Sequence, residues 1–250
     1  MKLFYKYTIG FITSVISFSF FMGCQKSKTY TFPINYDLSQ TSQVQIYLAT
    51  VNASRNYVYV DAAPITGATM SSGSVFPSGT GAIASSIPSG LKAFLIRDTS
   101  SAATQVPLAF AENMQVGKSY TIFVYDSINA PKQKTVPTDI SIPSDTTARL
   151  RFANFVYSSV AVPAVDIFSK RRNVNLFTNI QVTEVTSYIT VPSAFNDTFY
   201  VRESGTQNQL AALNGLNPTQ KRSYTLVFRG RYQTAGTTGV ARTLSSFLNY

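Results

Sequence analysis

Val44-Gln45-Ile46-Tyr47-Leu48-Ala49 and Ala148-Arg149-Leu150-Arg151-Phe152-Ala153-Asn154 are the stretches on which the fold turns. Both alternate with period two, the signature of a strand with one buried face and one facing solvent. Ile46 and Leu48 point one way, Gln45 and Tyr47 the other. Leu150 and Phe152 alternate in the same manner with Arg149 and Arg151. The stretches line up at an offset of 104 residues, and two later blocks repeat that spacing. Ile87-Pro88-Ser89 matches Val191-Pro192-Ser193, and Lys118-Ser119-Tyr120-Thr121-Ile122 matches Arg222-Ser223-Tyr224-Thr225-Leu226. Between them, Asp61 against Asp166 and Arg97-Asp98-Thr99 against Arg202-Glu203-Ser204 sit at 105, one inserted residue away. Ordered self-similarity at a fixed spacing implies two copies of one domain.

Further strands are expected at Tyr57–Val60, Phe94–Arg97, Tyr120–Tyr125, Val165–Phe168, Ser187–Val191, Phe199–Arg202 and Tyr224–Arg229. Breakers such as Pro88-Ser89-Gly90, Asn214-Gly215 and Asn217-Pro218 fall between them. Tyr (15) and Phe (18), with much Val and Thr, suit half-buried pleated surfaces. The expected fold is all-β: two tandem immunoglobulin-like antiparallel β-sandwich domains after a lipoprotein signal peptide. The signal peptide covers 1–23, a tether 24–42, the first sandwich 43–143 and the second 144–250. Pro131, Pro137 and Pro143 interrupt the pattern between the copies. An edge strand over Thr135–Ile142 closes the first sandwich, with Ala241–Tyr250 as its counterpart. A linker this short implies two domains in fixed relation, as a rod.

Lys2 and Lys6 precede an uncharged run from Tyr7 to Gly23, a secretory leader slightly short for a transmembrane helix. Phe21-Met22-Gly23-Cys24 resembles the lipobox of bacterial lipoproteins, in which the Cys is acylated; Cys24 is the only cysteine in the chain. Buried acyl CH₂ groups contribute about 0.8 kcal/mol each, so two or three chains anchor durably. The formal charge of +10 falls by two, to +8, when the leader and its two lysines leave. The bases are scattered, and their densest cluster, Lys170-Arg171-Arg172, reads as a hairpin tip. A nucleic-acid partner is therefore not expected.

The chain has no His and no Trp. Without imidazole no Ser-His-Asp or Cys-His nucleophile can be assembled, and the commonest zinc ligand is missing. No catalytic residue, cofactor or metal is expected. Carboxylate-only chemistry remains formally open, with eleven acids to supply it. Asp61 and Asp166 are the leading acidic candidates because they recur in the repeat: as Ca²⁺ ligands, or more simply as strand-end residues capping a turn. Tyr57 and Tyr59 share one strand face, where ordinary sheet packing accounts for them more readily than sugar stacking does. Asp126-Ser127-Ile128 and Asp145-Thr146-Thr147 resemble the O-glycosylation acceptor motif of exported Bacteroidetes proteins, with Ser127 and Thr146 as acceptors.

The second copy is similar to a bacterial domain family of unknown function (DUF4397-type), often found in tandem on exported lipoproteins of the Bacteroidetes. The likeness rests on residues 148–154, on Val162-Pro163-Ala164-Val165-Asp166-Ile167, on Tyr188-Ile189-Thr190-Val191-Pro192 and on Ser223-Tyr224-Thr225. The first copy has Asp61 but lacks the preceding Pro and the Arg pair. The resemblance implies a β-sandwich, export and no known cofactor. The expected function is a non-catalytic cell-envelope lipoprotein, a binding, adhesion or scaffold module for an envelope protein or glycan. It would be held at the outer membrane, on the periplasmic face or the cell surface. The neutral and basic Gln25-Lys26-Ser27-Lys28 leans toward the periplasmic side. The rival is a carbohydrate-binding accessory protein or a carboxylate-dependent glycan hydrolase.

Overall fold

The computed structural model describes residues 38–77, 84–138 and 142–249. The expected signal peptide, Cys24 and most of the expected tether lie outside them. In the first copy the strands are β1 (Thr41–Leu48), β2 (Asn56–Val60), β3 (Ala63–Pro64), β4 (Val75–Phe76), β5 (Ser85–Pro88), β6 (Gly90–Asp98), β7 (Leu108–Met114), β8 (Ser119–Tyr125) and β9 (Lys132–Pro137). In the second they are β10 (Ala148–Asn154), β11 (Val165–Ser169), β12 (Val174–Ile180), β13 (Ile189–Val191), β14 (Asp197–Glu203), β15 (Gln209–Leu216), β16 (Ser223–Arg229) and β17 (Thr243–Leu248). Strand β1 already takes up Thr41 and Ser42, so the fold begins inside the segment assigned to the tether.

The chain is all-β, and each copy is a sandwich of two sheets. In the first, β4-β1-β8-β9, with β5 also on β1, faces β3-β2-β6-β7. In the second, β13-β10-β16-β17 faces β12-β11-β14-β15. The sheets are not purely antiparallel as expected: β1 runs parallel to β8, and β10 parallel to β16. Each copy opens and nearly closes on neighbouring strands, and the intervening strands cross to the other sheet and back. The inward alternation is as the sequence implies. Ile46, Leu48, Ile122 and Val124 meet Val58, Val60, Phe94 and Ile96 in one core. Leu150, Phe152, Leu226 and Phe228 meet Val165, Ile167, Phe199 and Val201 in the other.

A third core lies where no sequence pattern placed one. Tyr47, Ala49 and Phe123 of the first copy pack on Ala153, Phe155, Val227 and Phe247 of the second. The faces of β1 and β10 expected to be solvated are therefore buried against each other, and the four sheets stack in four layers. Phe123 stacks on Phe155 at a centroid distance of 4.7 Å, and Tyr47 on Phe247 at 5.1 Å.

The two inner sheets meet about a pseudo-two-fold relation. Backbone pairing makes Gln43 equivalent to Arg149, since they face Ser119 and Ser223. Gln45 is thus equivalent to Arg151, Tyr47 to Ala153 and Ala49 to Phe155. In the same way Val136 and Phe247, facing Thr121 and Thr225, are equivalent. At these apolar places one copy holds a large ring and the other a small aliphatic group: Tyr47 against Ala153, Phe155 against Ala49, Phe123 against Val227, Phe247 against Val136. Bulk on one side fills the room left by the other, as close packing requires.

Candidate functional site

Polar groups ring the shared core, and they obey the same pseudo-symmetry. On one flank Gln45 donates from Nε2 to the Leu248 carbonyl at 2.8 Å and accepts from Asn249 Nδ2 at 2.8 Å. On the other flank Arg151 takes the place of Gln45. Its Nη1 reaches the Pro137 carbonyl at 3.5 Å, and its Nη2 reaches Thr138 Oγ1 at 3.3 Å and Thr121 Oγ1 at 2.9 Å. Its Nε donates to Thr225 Oγ1 at 2.8 Å. Thr121 bonds Thr138 as Thr225 bonds Asn249. The guanidinium carbon sits 4.8 Å from the Tyr188 ring centroid and 6.0 Å from that of Phe123.

Arg151 is 2 % exposed, and all these hydrogen-bond partners are neutral. Burial lowers the pKa of its guanidinium from the ordinary value, because a low-dielectric setting disfavours the charged form. Beside it, between the two sandwiches, a crevice of about 550 Å³ is lined by Val136, Pro137, Arg151, Val185, Thr186, Ser187 and Tyr188. A concave site with apolar walls and a few polar groups is the usual form of a small-ligand pocket. The sequence placed Arg151 on a solvated face. The available warning was that its neighbours on that face, Ala153 and Phe155, are apolar.

Across the same core Tyr47 Oη lies 2.6 Å from Ser245 Oγ and accepts from Arg229 Nε at 3.1 Å. Burial raises the Tyr47 pKa, partly offset by the nearby Arg229 charge.

Asp61 and Asp166 do not recur at one place. Asp166 sits within β11 opposite Arg202, the position that Tyr57 of β2 holds opposite Arg97. Asp61 follows β2, where its N–H meets the Ala93 carbonyl, just as Lys170 meets Thr198. The loop 155–164 is longer than its counterpart 49–55, and that length shifts the second copy out of step. Asp61 is exposed, pairs with Lys92 Nζ at 2.7 Å and accepts from Ala93 N at 3.0 Å. The Lys92 bond, then the Ala93 bond, hold its pKa low.

Asp166 is buried. It accepts from Asn179 N at 2.8 Å, Gly205 N at 3.2 Å and Asn175 Nδ2 at 3.3 Å. It thereby pins the irregular β11–β12 pairing and the β14–β15 turn. Because Asp166→Ala would leave buried N–H groups unmatched, it should cost about 2–3 kcal/mol in urea unfolding. Asp61→Ala should leave the midpoint within error of the parent.

The two acids belong to the outer sheets of different sandwiches. Among the described residues no group of three or more His, Cys, Asp or Glu is placed to hold a metal. Tyr59 lies under Arg97 at 5.1 Å, and the equivalent Phe168 lies under Arg202 at 3.7 Å. Lys170-Arg171-Arg172 forms the β11–β12 hairpin tip. It is held by Asp197, an acid the sequence reading overlooked, which accepts from Arg171 N at 2.9 Å.

Ser127 is half-buried in a parallel bridge with Val51. The adjoining Asp126 is tied to Lys132 at 2.8 Å. Thr146 is exposed, and its carbonyl accepts from Ser193 Oγ at 2.6 Å. Cys24 lies outside the described residues.

No protein-family model and no curated protein matches the chain. Among solved structures, a family 26 carbohydrate-binding module from Eubacterium rectale Amy13K, determined in complex with maltoheptaose, is similar at 10 % identity and a TM-score of 0.27. The match covers 83 % of this chain and 96 % of that one, a likeness too slight to bear on site or ligand.

Proposed function

We propose that the chain is a non-catalytic binding module of the cell envelope, exported and held to the membrane by acyl chains on Cys24. Its partner enters the crevice between the two sandwiches. The observation that carries the reading is Arg151, a buried cation whose hydrogen-bond partners among the described residues are all neutral, beside an open crevice. Such a charge is costly to keep unless something compensates it. The lipobox-like Phe21-Met22-Gly23-Cys24 supports the anchorage, and the shared core supports a fixed presentation of the crevice.

Fractionation of cells expressing the parent and Cys24→Ser tests the anchorage. The parent should partition with membranes and Cys24→Ser should be released to the soluble fraction. A variant that stays membrane-bound would overturn the lipid anchor. Protease shaving of intact and lysed cells then separates surface from periplasmic exposure.

A further inference from the structure

We infer that the crevice beside Arg151 is a subsite for the carboxylate of an acidic sugar, a hexuronate unit of a glycan. The inference rests on the binding role proposed above and deepens it by naming the ligand's chemistry.

The pseudo-symmetry of the interface separates what the fold needs from what it does not. On the first copy's flank Gln45 joins the two sheets with a neutral carboxamide, bonding the end of β17. Arg151 makes the same junction to the end of β9, through Pro137, Thr121 and Thr138. A neutral side chain is therefore enough to tie these sheets together. The positive charge at Arg151 is surplus to that task.

Three further features point at a ligand. Among the described residues no carboxylate pairs with Arg151; the ion pairs present involve Asp61, Asp98, Asp126 and Asp145 with other bases. The guanidinium has five N–H groups, and the bonds above use four, the one from Nη1 being long at 3.5 Å. Among the described residues one N–H of Nη1 therefore remains without a partner. The flank that carries the charge also carries the crevice of about 550 Å³, enough for a small ligand.

The lining selects among anions. One cation with one unmatched N–H balances a single negative charge, which fits a carboxylate better than a doubly charged phosphate. The remaining wall joins the Tyr188 ring and the hydroxyl-bearing Thr186 and Ser187 to apolar Val136, Pro137 and Val185. A sugar has the same mixture, with hydroxyl edges and C–H faces. The buried setting strengthens the charge-assisted bond.

The test is calorimetric titration of the mature protein with glucuronate and galacturonate, with glucose and galactose as neutral counterparts, and with acetate and inorganic phosphate. The series includes Arg151→Gln, which copies the Gln45 junction, and Arg202→Gln as a control outside the crevice. Circular dichroism and urea unfolding establish that each variant is folded. The expected result is at least tenfold tighter binding of a uronate than of its neutral sugar. Arg151→Gln should abolish that preference and Arg202→Gln should leave it unchanged.

Equal affinity for the uronate and the neutral sugar would overturn the inference. So would acetate or phosphate binding as tightly as the uronate, which would mark a bare anion site, or an unchanged preference in folded Arg151→Gln. Asp139, next in the chain after Thr138, lies outside the described residues. Failure of the parent to bind, with binding gained in Asp139→Asn, would overturn the inference in favour of an internal counter-charge. None of these outcomes alters the fractionation result, so anchorage and ligand class fail separately.

Discussion

Phe123→Ala is expected to lower stability by about 3–5 kcal/mol and to split one unfolding transition into two. The first effect follows from burial. Phe123 is fully buried and stacks on Phe155 at 4.7 Å, with Tyr47 at 6.1 Å, so truncation leaves a cavity between sheets. The second follows from where that cavity lies. A cut inside one sandwich, such as Ile122→Ala on the opposite face of β8, weakens that sandwich and leaves the contact between copies in place. A cut at Phe123 weakens the contact itself, so each copy falls back on its own core. The chain has no Trp, so far-UV circular dichroism and calorimetry are the probes. A single transition with a loss under about 1 kcal/mol would mean the shared core does not couple the copies.

Gly230→Ala is the second large effect, and it comes from the backbone. Gly230 has φ +91° at the end of β16, a conformation that side chains disfavour. A Cβ there would stand 2.1 Å from the Ala241 carbonyl oxygen and 3.0 Å from Arg242 Cα. These are main-chain atoms of the facing segment and cannot swing aside. Strain and overpacking together amount to about 2–6 kcal/mol. Gly90 is the comparison: its φ is +96°, yet a Cβ there meets nothing within 4 Å. Gly90→Ala should cost only the conformational strain, about 1–2 kcal/mol. Comparable urea midpoints for the two variants would show that the approach of Ala241 is relaxed in solution.

The cores of the two sandwiches were legible because period-two alternation reports which residues share a face. It does not report what covers the other face. Gln45 and Tyr47 read as solvated because Gln and Arg occupy that side, yet they lie against Phe247 and Asn249, some two hundred positions along the chain. The repeat was legible as well, and its register was not. The offset of 104 holds for β8 and β16, while backbone pairing places β1 and β10 two residues further out of step. A slip of two keeps every side chain on its face, so an alternating pattern fits both alignments equally well. The same blindness produced the false equivalence of Asp61 and Asp166: matching letters at a nearly constant spacing hid a longer loop. The β7, β12 and β15 strands were missed where outer-sheet residues carry less apolar contrast. Arg151 escaped notice as a site because a cation beside a buried core is recognisable only once both sheets are in place.

The alternation of large and small groups across the shared core bears on how the protein arose and how it can change. In a dimer of identical chains, any substitution at such a contact appears twice, once on each side of the axis. A gain in bulk on one surface is then met by the same gain opposite, and the interface tolerates little. Covalent linkage of the halves removes that restriction. Tyr47 could enlarge while its equivalent stayed Ala153, and Phe155 could enlarge opposite Ala49. The halves have ceased to be interchangeable. One flank could then keep a plain amide while its twin was freed to acquire a charge.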